Sequence, residues 1–246
     1  MIHRFETVDS TNIVAKAMAL EGAAHGTVVL AEHQTAGRGR MGRSFHSPAS
    51  AGIYMSVILR PSCPPTALMH LTCAVAVTAC DAVEEALGWR PGIKWINDLV
   101  AGGKKLAGIL TELHIDPKTG LVDFAIVGIG LNCNQQPEDF PSELRHIACS
   151  AAMISGHPID REPLICAIIQ RLQDLELEHK KPILQRYRSD CVTLGQEVDV
   201  IRGDSRRKGF ALDVDSQGAL VVRFEDGHTE AVDSGEVSIR GQLGYV

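Results

Sequence analysis

The stretch Gly37-Arg38-Gly39-Arg40-Met41-Gly42-Arg43 sets three arginines among three glycines within seven residues. Glycine leaves the main chain too free to be fixed cheaply in a helix or strand, so the stretch reads as a loop that can approach a ligand closely. Arginine is a planar, permanently charged fork that pairs bidentately with phosphate or carboxylate. Three of them on such a backbone predict an anionic ligand, a nucleotide or a phosphorylated intermediate.

Three further segments carry polar residues or glycine inside otherwise apolar strands: Lys94-Trp95-Ile96-Asn97-Asp98, Lys105-Leu106-Ala107-Gly108-Ile109-Leu110 and Gly128-Ile129-Gly130-Leu131-Asn132. Burying a lysine or an Asn-Asp pair without partners costs several kcal/mol, so these segments are expected to face one cleft together with the arginine loop. Ser10 and Thr11 stand before the apolar pattern Ile13, Val14, Ala17, Met18 and Leu20, which Gly22 stops. That is a short helix whose amino end suits an anion or carbonyl, with simple capping by Ser10 as the plainer alternative.

The elements that must position these residues follow from periodicity. Thr27 to Glu32 and Ile53 to Leu59 are β-branched, strand-like runs on either side of the loop. Thr66 to Leu87 is apolar on nearly every face until Asp81 and is expected as a helix buried against a sheet, ended by Gly88. Ile93 to Val100, Lys105 to His114 and Leu121 to Ile129 read as further strands separated by Gly102-Gly103 and the turn Asp116 to Gly120. Helices are expected over Ser142 to Ile154 and Asp160 to Lys180, with Pro182 breaking the pattern before a last turn to Ser189. From Cys191 the chain changes to short β runs: Glu197 to Arg202, Lys208 to Val214, Leu220 to Phe224, Thr229 to Val232 and Val237 to Arg240. The expected fold is therefore α+β. A mixed, largely antiparallel sheet flanked by helices fills residues 1–190, and a small SH3-like β-barrel fills residues 191–246.

Composition narrows the function. The 246 residues are 45% apolar with a net charge of -6, so the arginine loop stands out locally and no general basic face for DNA is implied. Seven cysteines without a CxxC pair argue against a disulfide framework and a zinc ribbon. The amino end has no secretory h-region, and the apolar run from 67 to 79 falls short of the ~20 residues that span a membrane. A cytoplasmic protein without a membrane or DNA partner is the expectation; the oligomeric state is left open, a homodimer included.

The blocks Ser10-Thr11-Asn12, Gln34 to Arg43, Lys94 to Asp98, Lys105 to Leu110 and Gly128 to Asn132 together resemble the biotin protein ligases. That family's pattern runs Ser-Thr-Asn, Gln-x-Ala-Gly-Arg-Gly-Arg-x-Gly-Arg, Lys-Trp-Pro-Asn-Asp, Lys-x-x-Gly-Ile-Leu and Gly-x-Gly-x-Asn, in this order. Ile96 stands where the family usually has proline and Phe45 where it often has tryptophan, changes that touch packing rather than charge. The Ser-Thr-Asn block starts at residue 10, which leaves no room for the helix-turn-helix of the repressor members, so a monofunctional ligase is expected.

The resemblance implies a class II synthetase-like catalytic domain and a reaction in two steps. Biotin and Mg2+-ATP give biotinyl-5′-adenylate and pyrophosphate; a lysine of a biotin carboxyl carrier protein then takes the biotinyl group as an amide. By the same resemblance Ser10, Thr11, Asn12, Gln34, Gly37, Arg38, Arg40, Arg43, Trp95, Lys105, Gly108, Gly128, Gly130 and Asn132 would bind biotin or the adenylate. Lys105, Arg40, Asp98 and Asn97 would lie at the reacting atoms, with Arg38 and Arg40 on the carboxylate and α-phosphate and Asp98 orienting or deprotonating the incoming amine. No residue spacing makes a dedicated magnesium site. Three rivals stand beside this reading: a lipoate or octanoate ligase of related fold, an RNA-binding module that grips RNA through the Arg-Gly loop and barrel, and a catalytically idle α+β scaffold, against which the intact Arg38, Arg40 and Lys105 speak.

Overall fold

In the computed structural model the described residues are 1–175, 177, 179–233 and the strand 237–241. The chain opens on a strand, β1 (Ile2–Val8), which its mostly exposed polar side chains hide from a periodicity reading. There follow α1 (Thr11–Leu20), β2 (Val28–Gln34), β3 (Gly52–Leu59), α2 (Leu71–Leu87), β4 (Gly92–Lys94), β5 (Asp98–Ala101), β6 (Lys104–Ile115) and β7 (Val122–Asn132). These seven strands form one sheet in the order β1-β2-β3-β7-β6-β5-β4, with β1 parallel to β2 and every other pair antiparallel. A single strand over 93–100 was expected. The chain instead makes a hairpin of β4 and β5, and the Trp95–Ile96 peptide between them is cis.

One face of this sheet is covered by α2, by α4 (Arg161–Gln173) and by α5 (Lys180–Asp190), and it holds the main core, including Val28, Met55, Val57, Ile109 and Val127. The stretch Pro65–Leu87 is, by length and composition alone, apolar enough to cross a membrane, which the uninterrupted run did not reveal. Here it is a core element, 72% of its apolar window being buried inside the fold. The helices after the sheet differ from expectation in two places. Only α3 (Ala151–Ser155) forms within 142–154, because the segment before it pairs with β6: Lys105 N–H donates to the Ile147 carbonyl at 2.7 Å and Cys149 N–H to the Lys105 carbonyl at 2.9 Å. Pro182 lies in the first turn of α5, where a missing N–H removes no intrahelical bond, so it starts this helix instead of breaking one.

The opposite face is covered only in part. Helix α1 packs Ala15 and Ala19 on Val29, Ile58, Phe124 and Ile126. Along β7 the residues on this face are Phe124, Ile126, Gly128 and Gly130, so apolar bulk gives way to glycine at the amino end of α1. The five remaining strands, β8 (Glu197–Arg202), β9 (Ser205–Val214), β10 (Leu220–Phe224), β11 (Thr229–Val232) and β12 (Val237–Gly241), form a second antiparallel sheet. Its order is β11-β10-β9-β8-β12; among the described residues no pairing of β11 with β12 closes it into a barrel.

Candidate active site

The uncovered part of the sheet is a cleft of about 750 Å³, its open mouth included. Its floor follows from strand register. Gly130 on β7 pairs with Tyr54 on β3 and with Gly108 on β6, and Gly108 pairs in turn with Asp98 on β5, so these four residues form one row across four strands. Two glycines in the row leave room that the Phe45 ring partly takes, and Asp98 marks the edge of the row.

Lys105 joins the same face through a defect in the ladder. Strict alternation would put Lys105 and Gly108 on opposite faces. The register of β5 and β6 shifts between Leu99 and Val100, and Leu106 and Ala107 are both fully buried on the core side. A bulge of this kind re-aims the residues around it, here turning Lys105 into the cleft. Its Nζ lies 2.8 Å from Asp98 Oδ1 and 5.9 Å from the centre of the Phe45 ring.

The arginine loop folds back on itself. Phe45 N–H donates to the Gly37 carbonyl at 2.8 Å and Gly39 N–H to the Arg43 carbonyl at 2.7 Å, around a short 3-10 turn over Arg40–Gly42. Gly37 has to be glycine, since a Cβ there would stand 2.4 Å from the Phe45 carbonyl oxygen. Arg40 reaches inward, with Nη1 donating to Asn97 Oδ1 at 3.1 Å, while Asn97 Nδ2 donates to Asp98 Oδ1 and the Ile109 carbonyl. Burial lowers the pKa of Arg40 and the Asp98 carboxylate opposes that shift; a guanidinium starting above 12 remains a cation. Arg38, Arg40, Arg43 and Lys105 against the single carboxylate of Asp98 make the wall strongly positive in an otherwise acidic protein.

The amino end of α1 supplies the polar end of the cleft. Ser10 and Thr11 are buried, and the Ser10 side chain makes no cap hydrogen bond to its helix, so capping does not account for it. Thr11 N–H donates to Gln34 Oε1 at 2.9 Å, and Gln34 Nε2 donates to Ser47 Oγ at 2.9 Å, which ties the helix start to the end of the loop. Ser56 Oγ donates to Asn12 Oδ1 at 2.6 Å, and Asn12 Nδ2 donates to Glu112 Oε2 at 2.7 Å. Glu112 also faces Arg38, Nη1 to Oε1 at 3.4 Å.

Of the residues singled out from sequence, Ser10, Thr11, Asn12, Gln34, Arg38, Arg40, Arg43, Asn97, Asp98, Lys105, Gly108, Gly128 and Gly130 all line this cleft, and Gly37 sits directly behind it. Two do not. Trp95 is buried at the junction with the second sheet, its indole N–H donating to the Gly218 carbonyl at 2.9 Å and its backbone N–H to Thr193 Oγ1 at 2.9 Å. Asn132 is spent on the Cys149 carbonyl at 3.0 Å, holding the segment before α3. Sequence reasoning passed over Ser56, a lone hydroxyl in the apolar run of β3, and Glu112, one of several polar residues on β6 and so without a signal of its own. It treated Phe45 as a matter of packing, yet the Phe45 ring lies where a Cβ on Gly130 would approach to 2.6 Å.

Among the described residues no group of three or more His, Cys, Asp or Glu could hold a metal. Asp98 and Glu112 are both engaged by side chains of the chain itself. A magnesium ion accompanying ATP would therefore be carried by phosphate oxygens and water.

The family model described as Biotin/lipoate A/B protein ligase family matches residues 4–132, and that of the Biotin protein ligase C terminal domain matches residues 193–240. The chain is 38% identical over 226 residues to the bifunctional ligase/repressor BirA of Bacillus subtilis, covering 90% of this chain and 69% of that protein. It is 35% identical over 237 residues to the biotin–[acetyl-CoA-carboxylase] ligase of Mycobacterium tuberculosis, covering 93% and 85%. Among solved structures, the biotin protein ligase from Aquifex aeolicus in complex with biotin and ATP superposes with a TM-score of 0.82 at 28% identity, over 98% of this chain and 99% of that one.

Proposed function

The chain belongs to the biotin/lipoate A/B protein ligase family, and from that premise we propose how its cleft performs the reaction of the biotin-specific members. It is an ATP-dependent biotin ligase. The observation that carries the residue assignments is the convergence of Arg38, Arg40 and Lys105 on one glycine-floored cleft.

In the first step a carboxylate oxygen of biotin attacks the α-phosphorus of ATP and pyrophosphate leaves. Arg38, Arg40 and Lys105 hold the carboxylate and the phosphate oxygens on which charge develops, a preorganised electrostatic role. The Ser10, Thr11, Asn12 and Gln34 cluster orients the acid through hydrogen bonds, while Gly128 and Gly130 make room for Asn12 and the Phe45 ring, which together with Gly108 shape the cleft floor. In the second step the ε-amine of an acceptor lysine attacks the acyl carbon, AMP leaves and an amide forms. Lys105, turned from Asp98 to the acyl-phosphate oxygens since the first step, leaves the Asp98 carboxylate available to orient and deprotonate the incoming amine; Asn97 keeps Asp98 and Arg40 in place. ATP brings its magnesium with it, and no step is assigned to the ion. The acceptor is a biotin carboxyl carrier domain, with that of acetyl-CoA carboxylase supported by the name of the mycobacterial relative.

Two working parts, 1–190 and 191–246, fit the end of α5 at Asp190 and the start of the second family match at residue 193. A cytoplasmic setting fits the seven free thiols.

Biotin-dependent exchange of radiolabelled pyrophosphate into ATP, with lipoate and no acid as controls, tests the reading on the wild type and on Arg40→Ala. Exchange with biotin alone, lost in the variant, is the expected result. Exchange with lipoate would move the assignment to the lipoate ligases, and exchange with neither acid, together with salt-sensitive RNA binding, to an RNA-binding module.

A further inference from the structure

We infer that Glu112 is a positioning residue for the adenylation step: its carboxylate sets the orientation of the Arg38 guanidinium before biotin arrives. Glu112 is on β6, four residues beyond Gly108, and does not itself line the cleft. One carboxylate oxygen accepts from Asn12 Nδ2 at 2.7 Å and the other faces Arg38 Nη1 at 3.4 Å.

The anchoring runs deeper than the pair. Asn12 is buried, and its Oδ1 accepts from the fully buried Ser56 hydroxyl at 2.6 Å, so the amide cannot turn without losing partners on both sides. Gly128 preserves that position, because a Cβ there would come within 2.1 Å of Asn12 Oδ1. Glu112 is therefore held by the sheet, and Arg38, about half exposed on a glycine-rich loop, is held by Glu112. A guanidinium has five donors in a fixed fork. The contact to Glu112 engages Nη1, while Arg38 itself lines the cleft. An anchored carboxylate behind a half-exposed cation reduces the ordering that the ligand's own carboxylate must otherwise impose on binding.

This rests on the ligase reading, and the experiment separates the two. Glu112→Gln keeps an oxygen for Asn12 and removes the charge facing Arg38. In biotin-dependent pyrophosphate exchange it is expected to raise KM for biotin about fivefold, the effect of a half-exposed ion pair, while kcat changes less than twofold. On an Arg38→Ala background the same change should add nothing, because the group it positions is gone. Glu112→Asp, which keeps the charge but is one methylene shorter, is expected between wild type and Glu112→Gln, and reads the inference even if the glutamine variant does not fold. An unchanged or lowered KM in both variants would overturn it. So would an effect undiminished in the Arg38→Ala background, which would mark Glu112 as acting through the strand alone. Absence of biotin-dependent exchange in the wild type would instead remove the ligase reading and the inference with it.

Discussion

Lys105 Nζ and Asp98 Oδ1 stand 2.8 Å apart across two adjacent strands, and they meet only because the β5–β6 ladder slips by one residue beside Leu106. The pair puts the cation of the first step and the carboxylate of the second in one hydrogen-bonded unit. Lys105→Met should lower biotin-dependent pyrophosphate exchange by about 10²–10³, the usual cost of losing one preorganised charge at a developing oxyanion. Asp98→Asn should slow adenylate formation modestly and slow single-turnover transfer to the carrier domain at least ten times more. Equal slowing of both steps would mean that Asp98 does no more than hold Lys105.

Gly128→Ala should weaken biotin binding without touching a charge. The added methyl would meet Asn12 Oδ1 and force the Ser56–Asn12–Glu112 chain apart. A loss of about 1–3 kcal/mol in stability is the ordinary cost of such overpacking. Biotin affinity, measured by titration calorimetry, should fall about tenfold, since every order of magnitude is about 1.4 kcal/mol. Unaltered affinity would place the ligand elsewhere in the cleft.

Trp95→Phe should behave as a stability variant. The indole N–H is the donor to the Gly218 carbonyl, and losing it leaves a buried acceptor at the junction of the two sheets. Equilibrium denaturation should show a loss of about 1–3 kcal/mol. KM for biotin in the exchange assay should stay within about twofold, because Trp95 is absent from the cleft wall. A large rise in KM with unchanged stability would return Trp95 to the substrate site.

His70 should make the fold sensitive to mild acid. Its ring is buried at the start of α2, with Nε2 at 3.0 Å from the Leu177 carbonyl, and burial lowers its pKa below the ordinary 6.5, Lys180 adding to the shift. The unfolded chain then takes up the proton first as pH falls. The stability contribution is complete above about 6.5 and is lost as pH drops below it. The denaturation midpoint should fall more steeply between pH 7 and pH 5 in the wild type than in His70→Gln. Parallel slopes in the two proteins would remove the assignment.

Much of the cleft was legible in the sequence because its chemistry is local. Arg-Gly alternation, a glycine at every second position of a strand and polar residues in apolar runs state their purpose within a few residues. The long apolar helix is legible for the same reason, since burial on all faces leaves no polar stripe. What sequence could not supply depends on how strands lie beside one another. Alternation assigns Lys105 and Gly108 to opposite faces, and a one-residue slip against β5, set by two packed strands, puts them on the same one. Trp95 lies within a polar-rich block, yet the second sheet, more than a hundred residues later, claims its N–H. Pro182 reads as a breaker until the helix begins two residues before it. The residue types and their spacing determined which chemistry this chain carries. Register, the bulge and the docking of the second sheet decided which of those side chains meet, because cross-strand distance is fixed by pairing and not by separation along the chain.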